Sequence, residues 1–268
     1  MQLSVITDEI APGLDRALDV CEELGIGLVE LRTVDSAPLV ALDRSEIEGL
    51  GTRIAARGFR VSAVASPFLK CNRDEIDAEQ TEINARAIRA ARILAAPVVR
   101  AFSFWREPDP AAALPDLGDA LRAAAETAHE AGVTLALENE HECNVASSAE
   151  ARAALDETAS PYLRLIWDAG NAAMLDPQGY AGVGGLETIV DRVAHVHLKD
   201  VDARRNWVRI GDGVVDHEAL LRYLADAGYD GVLSFETHYR RDGSSELATR
   251  DCVASLREIA GRAGVELT

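Results

Sequence analysis

The chain has 268 residues, of which 48% are hydrophobic and 27% are charged, a balance typical of a globular protein with enough apolar material for a large core. Its formal net charge of -18 repels phosphate backbones and anionic lipid surfaces, which argues against a nucleic-acid partner and against a membrane partner. No apolar run approaches the roughly 20 residues that a membrane helix needs, and Met1–Val5 does not begin a secretory signal. The four cysteines, Cys21, Cys71, Cys143 and Cys252, are far apart and form no CxxC pair, so we expect free thiols in a cytoplasmic protein.

Short β-branched runs alternate with longer runs rich in alanine, leucine, arginine and glutamate along the whole chain. The short runs predict eight strands, at Leu3–Ile6, Leu28–Leu31, Arg60–Ala65, Val98–Phe102, Thr134–Glu138, Arg164–Asp168, Ala194–Lys199 and Gly231–Glu236. Apolar residues at three- and four-residue spacing predict helices that include Leu14–Leu24, Ser45–Arg57, Glu79–Leu94, Ala111–Ala131 and His217–Ala227. Gly25, Gly58, Gly132 and Gly228 each lie between a predicted helix and the next strand, where a glycine can take the left-handed conformation that ends a helix.

This alternation fits two α/β architectures, a closed (β/α)8 barrel and an open, doubly wound parallel sheet. The first predicted strand is not followed by the GxGxxG pattern of an open dinucleotide-binding sheet. No linker or low-complexity segment interrupts the chain. We therefore expect residues 1–268 to form one domain, a (β/α)8 TIM barrel.

In a barrel of this type the functional residues lie at the carboxyl ends of the strands. The last four predicted strands end in, or close to, side chains that bind metals, namely Glu138, Asp168, His197 and Glu236. Three carboxylates and one imidazole form a donor set dominated by oxygen, which is typical of Mn²⁺, Mg²⁺ or Co²⁺ rather than of a closed structural zinc site. The sequence therefore predicts one divalent metal at this end of the barrel.

Each of these residues also has a purely structural interpretation. A carboxylate after a strand is often a helix N-cap or part of a rim salt bridge. A single histidine is often a hydrogen-bonded core residue, and His195 is interpreted in this way. The coincidence of four such residues favours the metal, because Glu138 and Glu236 follow wholly apolar strand positions, where an unpaired charge is costly.

Five segments of the chain carry a family resemblance. They are LALENEH (135–141), LIWDAGNA (165–172), HVHLKD (195–200), GDGVVDHEALLRYLADAGYDGVLSFETH (211–238) and, more weakly, SPFLK (66–70). Together they resemble the xylose isomerase-like TIM barrel superfamily, in particular its sugar phosphate isomerase/epimerase type, which includes D-tagatose 3-epimerase, hydroxypyruvate isomerase and inosose dehydratase. The resemblance implies that the metal ligands are Glu138, Asp168, His197 and Glu236, and that Glu138 and Glu236 also transfer protons. It further implies a small carbohydrate substrate, and it leaves a homo-oligomer open.

Two positions depart from the members of this superfamily that act on free ketohexoses. Those members have a histidine three residues after the metal-binding aspartate, where this chain has Asn171. They have an arginine six residues after the metal-binding histidine, where this chain has Ala203, followed by Arg204 and Arg205. The HLKD segment, with Lys199, is more similar to inosose dehydratase, so ketohexose specificity does not follow from the resemblance.

The metal set is compatible with three reactions that share one first step. A divalent ion bound to a carbonyl oxygen and the adjacent hydroxyl acidifies the C–H between them, and a carboxylate removes the proton to leave a metal-stabilised enediolate. Return of the proton to the other face gives epimerisation, return to the neighbouring carbon gives isomerisation, and loss of a β-hydroxyl gives dehydration. We expect an isomerase or epimerase that uses Mn²⁺, with Mg²⁺, Co²⁺ or Zn²⁺ as alternative metals.

The alternative functions are a metal-dependent dehydratase and a non-catalytic sugar-binding barrel. An abasic-site endonuclease shares the barrel, but it needs three zinc ions and histidines at the ends of strands two and three, which this chain lacks. Candidate substrate contacts lie on the loops beside the predicted ligands, and each also has an interpretation as rim or packing residue. They are Lys199, Asn171, His238, Glu140, Trp105 and Arg204.

Overall fold

The computed structural model describes residues 1–268 and contains eight parallel strands that close into one barrel. The strands are β1 (Gln2–Ile6), β2 (Leu28–Leu31), β3 (Arg60–Val64), β4 (Val98–Ala101), β5 (Thr134–Glu138), β6 (Leu163–Asp168), β7 (Val193–Leu198) and β8 (Val232–Phe235). They neighbour one another in chain order, and β8 closes the barrel by pairing with β1 in the register Gln2↔Val232 to Val5↔Phe235. The predicted (β/α)8 barrel is confirmed, and the open sheet is excluded.

Eight helices surround the barrel. They are α1 (Leu14–Glu23), α2 (Arg44–Ala56), α3 (Ala78–Leu94), α4 (Leu114–Glu130), α5 (Ser148–Thr158), α6 (Ala169–Leu175), α7 (His217–Asp226) and α8 (Ser245–Ala263). The predicted helix at 111–131 begins with a 3-10 turn at Pro110–Ala113 before α4, because proline fits the first turn of a helix. The helices α5, α6 and α8 were not among the predicted ones. No helix is both long enough and apolar enough to span a membrane.

The four glycines predicted to end helices adopt the expected conformation. Gly25, Gly58, Gly132 and Gly228 have φ values of 65°, 80°, 73° and 77°, in the left-handed region. All four cysteines are free, as predicted, and all four are buried.

Most of the apolar core lies between the strands and the helices, in one cluster of 68 buried residues. The inside of the barrel is different. Its apolar part is a separate group of four residues, Ala63, Val98, Ala136 and Ile166, on β3 to β6. Ala136 and Ile166 lie two residues before Glu138 and Asp168, so they share the inward face of their strands with these carboxylates.

Charged residues fill much of the remaining interior, where barrels of this type usually hold valine, isoleucine and leucine. The Glu30 carboxylate on β2 lies 2.9 Å from His195 Nε2 on β7, and these two strands are not neighbours in the barrel. Both side chains must therefore point inward. Burial of charged side chains costs folding free energy unless the charges are paired, so charged residues in the barrel interior are candidates for a functional role.

Two short antiparallel hairpins extend the carboxyl end of the barrel. One pairs Thr33–Val34 with Ala37–Pro38 after β2, and the other pairs Asp200–Val201 with Trp207–Val208 after β7. We call residues 200–208 the β7 hairpin. It lies at the end of the barrel where the predicted metal ligands are found.

Candidate metal centre

The four predicted ligands lie together at the carboxyl end of the barrel. Glu138 and Asp168 end β5 and β6, His197 is the penultimate residue of β7, and Glu236 directly follows β8. Their candidate ligand atoms all lie within 4.8 Å of one another, and all four side chains are buried. His197 Nδ1 is 2.9 Å from Glu138 Oε1 and 3.4 Å from Glu236 Oε2. The barrel thus places three carboxylates and one imidazole around a common point.

The two oxygens of Asp168 have different surroundings. Oδ1 accepts a hydrogen bond of 2.8 Å from the backbone N–H of Asn171, so Asp168 is also the N-cap of α6. Oδ2 is buried without a hydrogen bond, and Lys199 Nζ approaches it at 3.0 Å in a geometry that is not that of a hydrogen bond. Burial raises the pKa of Asp168 to about 6 against the attraction of Lys199, and repulsion from Glu138 and Glu236 adds to the rise. An oxygen in this position would be stabilised by a cation.

Three protein cations already contact the carboxylates. Lys199 Nζ lies 2.8 Å from Glu236 Oε2, and Arg32 Nη1 lies 2.8 Å from Glu236 Oε1. Arg100 Nη1 donates to Glu138 Oε2 at 3.0 Å. Lys199 and Arg100 are buried, so neither is a solvated rim residue.

Negative charge still exceeds positive charge in this network, which we call the acidic cluster. The acidic cluster has six carboxylates, those of Asp8, Glu9, Glu30, Glu138, Asp168 and Glu236, and three permanent cations, Arg32, Arg100 and Lys199. Glu30 contacts none of these cations and pairs with the imidazoles of His195 and His197. The charges of Lys199 and His197 hold the pKa of Glu236 well below its usual range, although burial alone would raise it. A divalent cation fits this site on two counts, the excess of carboxylate and the unbonded Asp168 Oδ2.

Glu30 supports His197 from behind. Its Oε1 lies 3.1 Å from His197 Nε2 and its Oε2 lies 2.9 Å from His195 Nε2, and all three side chains are buried. Glu30 accepts the proton of His197 Nε2, so a metal ion would take the place of the proton on Nδ1, which faces Glu138 Oε1 at 2.9 Å. His195 is a hydrogen-bonded histidine of the barrel interior, consistent with its interpretation from the sequence.

Three of the predicted substrate contacts lie beside the acidic cluster. The Asn171 amide lies 3.4 Å from Glu138 Oε1, and its Oδ1 lies 2.9 Å from His141 Nδ1. Glu140 is buried and pairs with His141 at 2.6 Å, and the bond to His141 contributes to a pKa of Glu140 far below its usual range despite burial. His238 is 30% exposed and lies 4.0 Å from Glu236 Oε1.

The other predicted contacts differ in position. Lys199 lies inside the cluster rather than on the rim. Trp105 is exposed, and its ring centroid lies 5.4 Å from the Nζ of Lys70, a residue that pairs with Glu140. Arg204 lies in the exposed turn of the β7 hairpin and makes no ion pair, so the structure keeps it apart from the acidic cluster.

Sequence reasoning missed four residues that the structure brings to the site, Glu30, Arg32, Arg100 and Trp207. A local signal existed for two of them. Glu30 and Arg100 interrupt the apolar runs LVEL and VVRA, and a charge at such a position is rarely buried without a partner. Arg32 and Trp207 lie in loops, where the sequence gives no comparable signal.

A surface cavity of about 730 Å³ lies elsewhere. It is lined by residues of α2, α3 and α4 and their following segments, and by none of the acidic cluster. The chemistry of the buried carboxylates identifies the candidate site better than the size of this groove does.

Comparison with known proteins agrees with the barrel fold. The family model of the xylose isomerase-like TIM barrel matches residues 18–259. The chain belongs to this family. No curated protein matches this xylose isomerase-like barrel in sequence.

Several solved structures share the fold of this family member. L-ribulose 3-epimerase is 21% identical, with a TM-score of 0.77 over 98% of this chain and 95% of that chain. The IOLI protein, whose crystal structure has a bound zinc atom, is 19% identical, with a TM-score of 0.81 over 98% and 99% of the two chains. The probable 3-DHS dehydratase from Bacillus anthracis is 14% identical, with a TM-score of 0.77 over 98% and 100%. At these identities the likeness shows the fold alone.

Proposed function

We propose that this xylose isomerase-like barrel is a divalent-metal-dependent isomerase or epimerase of a small carbohydrate. The observation that carries the proposal is the buried set of Glu138, Asp168, His197 and Glu236, whose ligand atoms lie within 4.8 Å of one another. These four residues would hold one ion, and the predominance of oxygen favours Mn²⁺. The epimerases and the zinc-bound protein among its structural neighbours support a carbohydrate substrate and a metal.

When bound, the ion supplies a Lewis acid that polarises a substrate carbonyl and acidifies the adjacent C–H. The two glutamates supply the proton transfers. Glu236 lies 2.8 Å from Arg32, 2.8 Å from Lys199 and 3.7 Å from Arg100, whereas Glu138 lies 3.0 Å from Arg100 and 2.9 Å from His197. Because fewer cations surround Glu138 than Glu236, we assign to Glu138 the removal of the proton.

Proton return is assigned to the opposite side of the site. Lys199 Nζ carries protons 2.8 Å from Glu236 Oε2, and the surrounding carboxylates hold the pKa of Lys199 well above its usual range, although burial alone would lower it. Lys199 therefore stays protonated beside Glu236, and its role is to stabilise negative charge there rather than to give its proton to the carboxylate. The burial of the whole set excludes bulk water from the proton path.

A dehydratase is the second candidate, and Lys199 is the observation that favours it. A buried ammonium beside Glu236 can donate a proton to a departing hydroxyl group, which isomerisation does not require. The probable dehydratase among the structural neighbours shares the same barrel. The two candidates differ in their product, since only dehydration creates a conjugated enone that absorbs in the ultraviolet.

Metal content and C–H exchange test the proposal together. We expect about one Mn, Mg, Co or Zn per chain by elemental analysis of the purified protein, and loss of that metal in Asp168→Ala and His197→Ala. A matched control is Glu142→Gln, which changes a glutamate of the β5 loop whose side chain is 59% exposed. A chain that binds no metal after reconstitution would contradict the proposed site.

Glu138→Gln and Glu236→Gln should each slow the exchange of substrate C–H protons in D₂O by about 10²- to 10⁴-fold, with the fold unchanged by circular dichroism. The substrates to screen are ketoses, inososes and their acids, followed by proton NMR and ultraviolet absorbance. Exchange without enone absorbance supports an isomerase or epimerase, and enone absorbance supports the dehydratase. Exchange at the wild-type rate in either variant would remove the assigned proton relay.

A further inference from the structure

The β7 hairpin is a fixed element above the acidic cluster. The buried carboxylate of Asp200 accepts backbone hydrogen bonds from Gly211, Gly213 and Val215 at 2.9, 3.0 and 3.1 Å, which tie the returning chain to the base of the hairpin. Asp202 Oδ1 closes the turn by accepting from the backbone N–H groups of the residues that follow. Side chains on this hairpin are therefore held in place before any ligand arrives.

Trp207, on the second strand of the hairpin, presents its ring to the site. The ring centroid lies 5.2 Å from Lys199 Nζ, the ammonium that contacts Asp168 and Glu236. It lies 5.7 Å from the ring of His141 after β5 and 5.4 Å from the ring of His238 after β8, both in edge-on arrangements. Trp207 is half-buried, whereas the residues beneath it are closed to solvent.

The two histidines beside Trp207 each keep one ring nitrogen free. His141 Nδ1 contacts Glu140 and Asn171, and His238 Nδ1 contacts Glu9. Neither Nε2 atom has a hydrogen-bond partner in the chain. The side chains are 27% and 30% exposed, so these nitrogens can reach hydroxyl groups of a bound molecule.

Three cations near this opening are engaged by carboxylates. Lys70 Nζ lies 3.1 Å from Glu140, Lys199 Nζ contacts two carboxylates, and Arg32 contacts three. A phosphate or carboxylate on the ligand would find none of these three free and would face the excess of negative charge, while the unpaired Arg204 lies in the exposed turn of the hairpin. The opening therefore suits an uncharged molecule.

We propose that Trp207 is the wall against which the apolar C–H face of an uncharged, hydroxyl-bearing ring stacks, while His141 and His238 bind hydroxyl groups of that ring. An aromatic face flanked by polar groups is what a sugar or cyclitol ring requires, because such a ring is apolar on its faces and polar at its edge. The inference rests on the proposed function, since it places the ligand over the same acidic cluster.

Calorimetric titration of the Mn²⁺-loaded protein tests this assignment. The probes are the inositol stereoisomers as uncharged rings, D-glucitol as an uncharged open chain with the same number of hydroxyl groups, and an inositol monophosphate as a charged ring. We expect at least one inositol to bind about tenfold or more tightly than D-glucitol and than the monophosphate. Trp207→Ala should weaken that binding about tenfold or more, and Trp207→Phe should restore part of it, with the metal content unchanged in both.

Tyr162→Ala is the matched control, because Tyr162 is an exposed aromatic residue that stacks on His129 ahead of β6. Its binding should equal that of the wild type. The assignment is overturned if no inositol binds saturably at millimolar concentration, if the monophosphate binds more tightly, or if Trp105→Ala weakens binding where Trp207→Ala does not.

The outcomes also separate this assignment from the proposed chemistry. If ligand binding depends on Trp207 but the protein exchanges no C–H proton, the role of Trp207 is supported and the proposed reaction is contradicted. If Trp207→Ala exchanges substrate protons with an unchanged KM, the proposed reaction is supported and the role of Trp207 is contradicted.

Discussion

Replacing Glu30 by glutamine perturbs the support of His197 while almost preserving the volume of the side chain. Glu30 accepts from His197 Nε2 at 3.1 Å and from His195 Nε2 at 2.9 Å. Glutamine keeps one acceptor oxygen, so at least one of the two imidazoles meets an N–H group instead of a carboxylate oxygen. His197 then loses the partner that holds its Nε2 proton and leaves Nδ1 as the nitrogen available to a metal.

The expected magnitude follows from the lost contacts. Removing a carboxylate behind a metal-binding histidine typically weakens metal binding about 10- to 100-fold. The loss of one charged hydrogen bond costs about 1.5–3 kcal/mol of folding free energy. For a chain of this size that corresponds to a fall in Tm of about 3–12 °C.

His195→Gln is the matched comparison for Glu30→Gln, because it removes one of the same two bonds and leaves the bond between Glu30 and His197. Metal affinity is measured by competition with a chromophoric chelator, and Tm is measured on the metal-free proteins. We expect both variants to lose stability and only Glu30→Gln to lose metal affinity. Equal metal affinity in the two variants would show that Glu30 supports the fold and not the metal site.

Two further variants test how much the packing and hydrogen bonds around the site contribute to the stability of the fold. Gly170→Ala places a Cβ 2.5 Å from Lys199 Cγ and 2.9 Å from the Lys199 carbonyl oxygen. We expect the free energy of unfolding, measured in urea, to fall by about 1–3 kcal/mol. The control is Gly49→Ala in α2, where a Cβ would meet no atom within 4 Å and the free energy of unfolding should rise by about 0.5–1 kcal/mol. Asp200→Ala leaves the N–H groups of Gly211, Gly213 and the buried Val215 without their acceptor and should cost about 3 kcal/mol or more, and a smaller loss would mean that water replaces the carboxylate.

The barrel itself could be predicted from the sequence because its strands are covered on both sides. Such strands are continuous apolar runs, and the predicted ends of β2 and β5 match the structure to the residue. Helix α5 was not predicted, although Ser147 and Glu150, which form a capping box at its start, are a recognisable signal in the sequence. Helix α6 has only seven residues, too few for a helical period to be recognised.

The candidate site was predictable where its residues are fixed by one strand each. Asp168 comes at the carboxyl end of its own strand, so its place on the rim follows from the order of the chain. The contact between Glu30 and His197 was not predictable. It crosses the interior of the barrel between two strands that are not neighbours, and the two residues are 167 positions apart in the sequence. The position of Trp207 was not predictable either. It depends on the path of the β7 hairpin, and the polar sequence around Trp207 does not predict that path.

The two halves of the barrel contribute different groups of residues to the candidate site. The proposed ligands all come from β5 to β8, which is also where the resemblance to related enzymes is strongest. The side chains that set their charge and orientation, Glu30, Arg32 and Arg100, come from β2, the loop after it, and β4. Related barrels can therefore share the metal-binding half and still differ in the basicity of their glutamates, because Coulombic interactions with buried cations are strong. In the proposed function, we expect Glu30, Arg32, Arg100 and Lys199 to influence the choice among isomerisation, epimerisation and dehydration in addition to the ligand set.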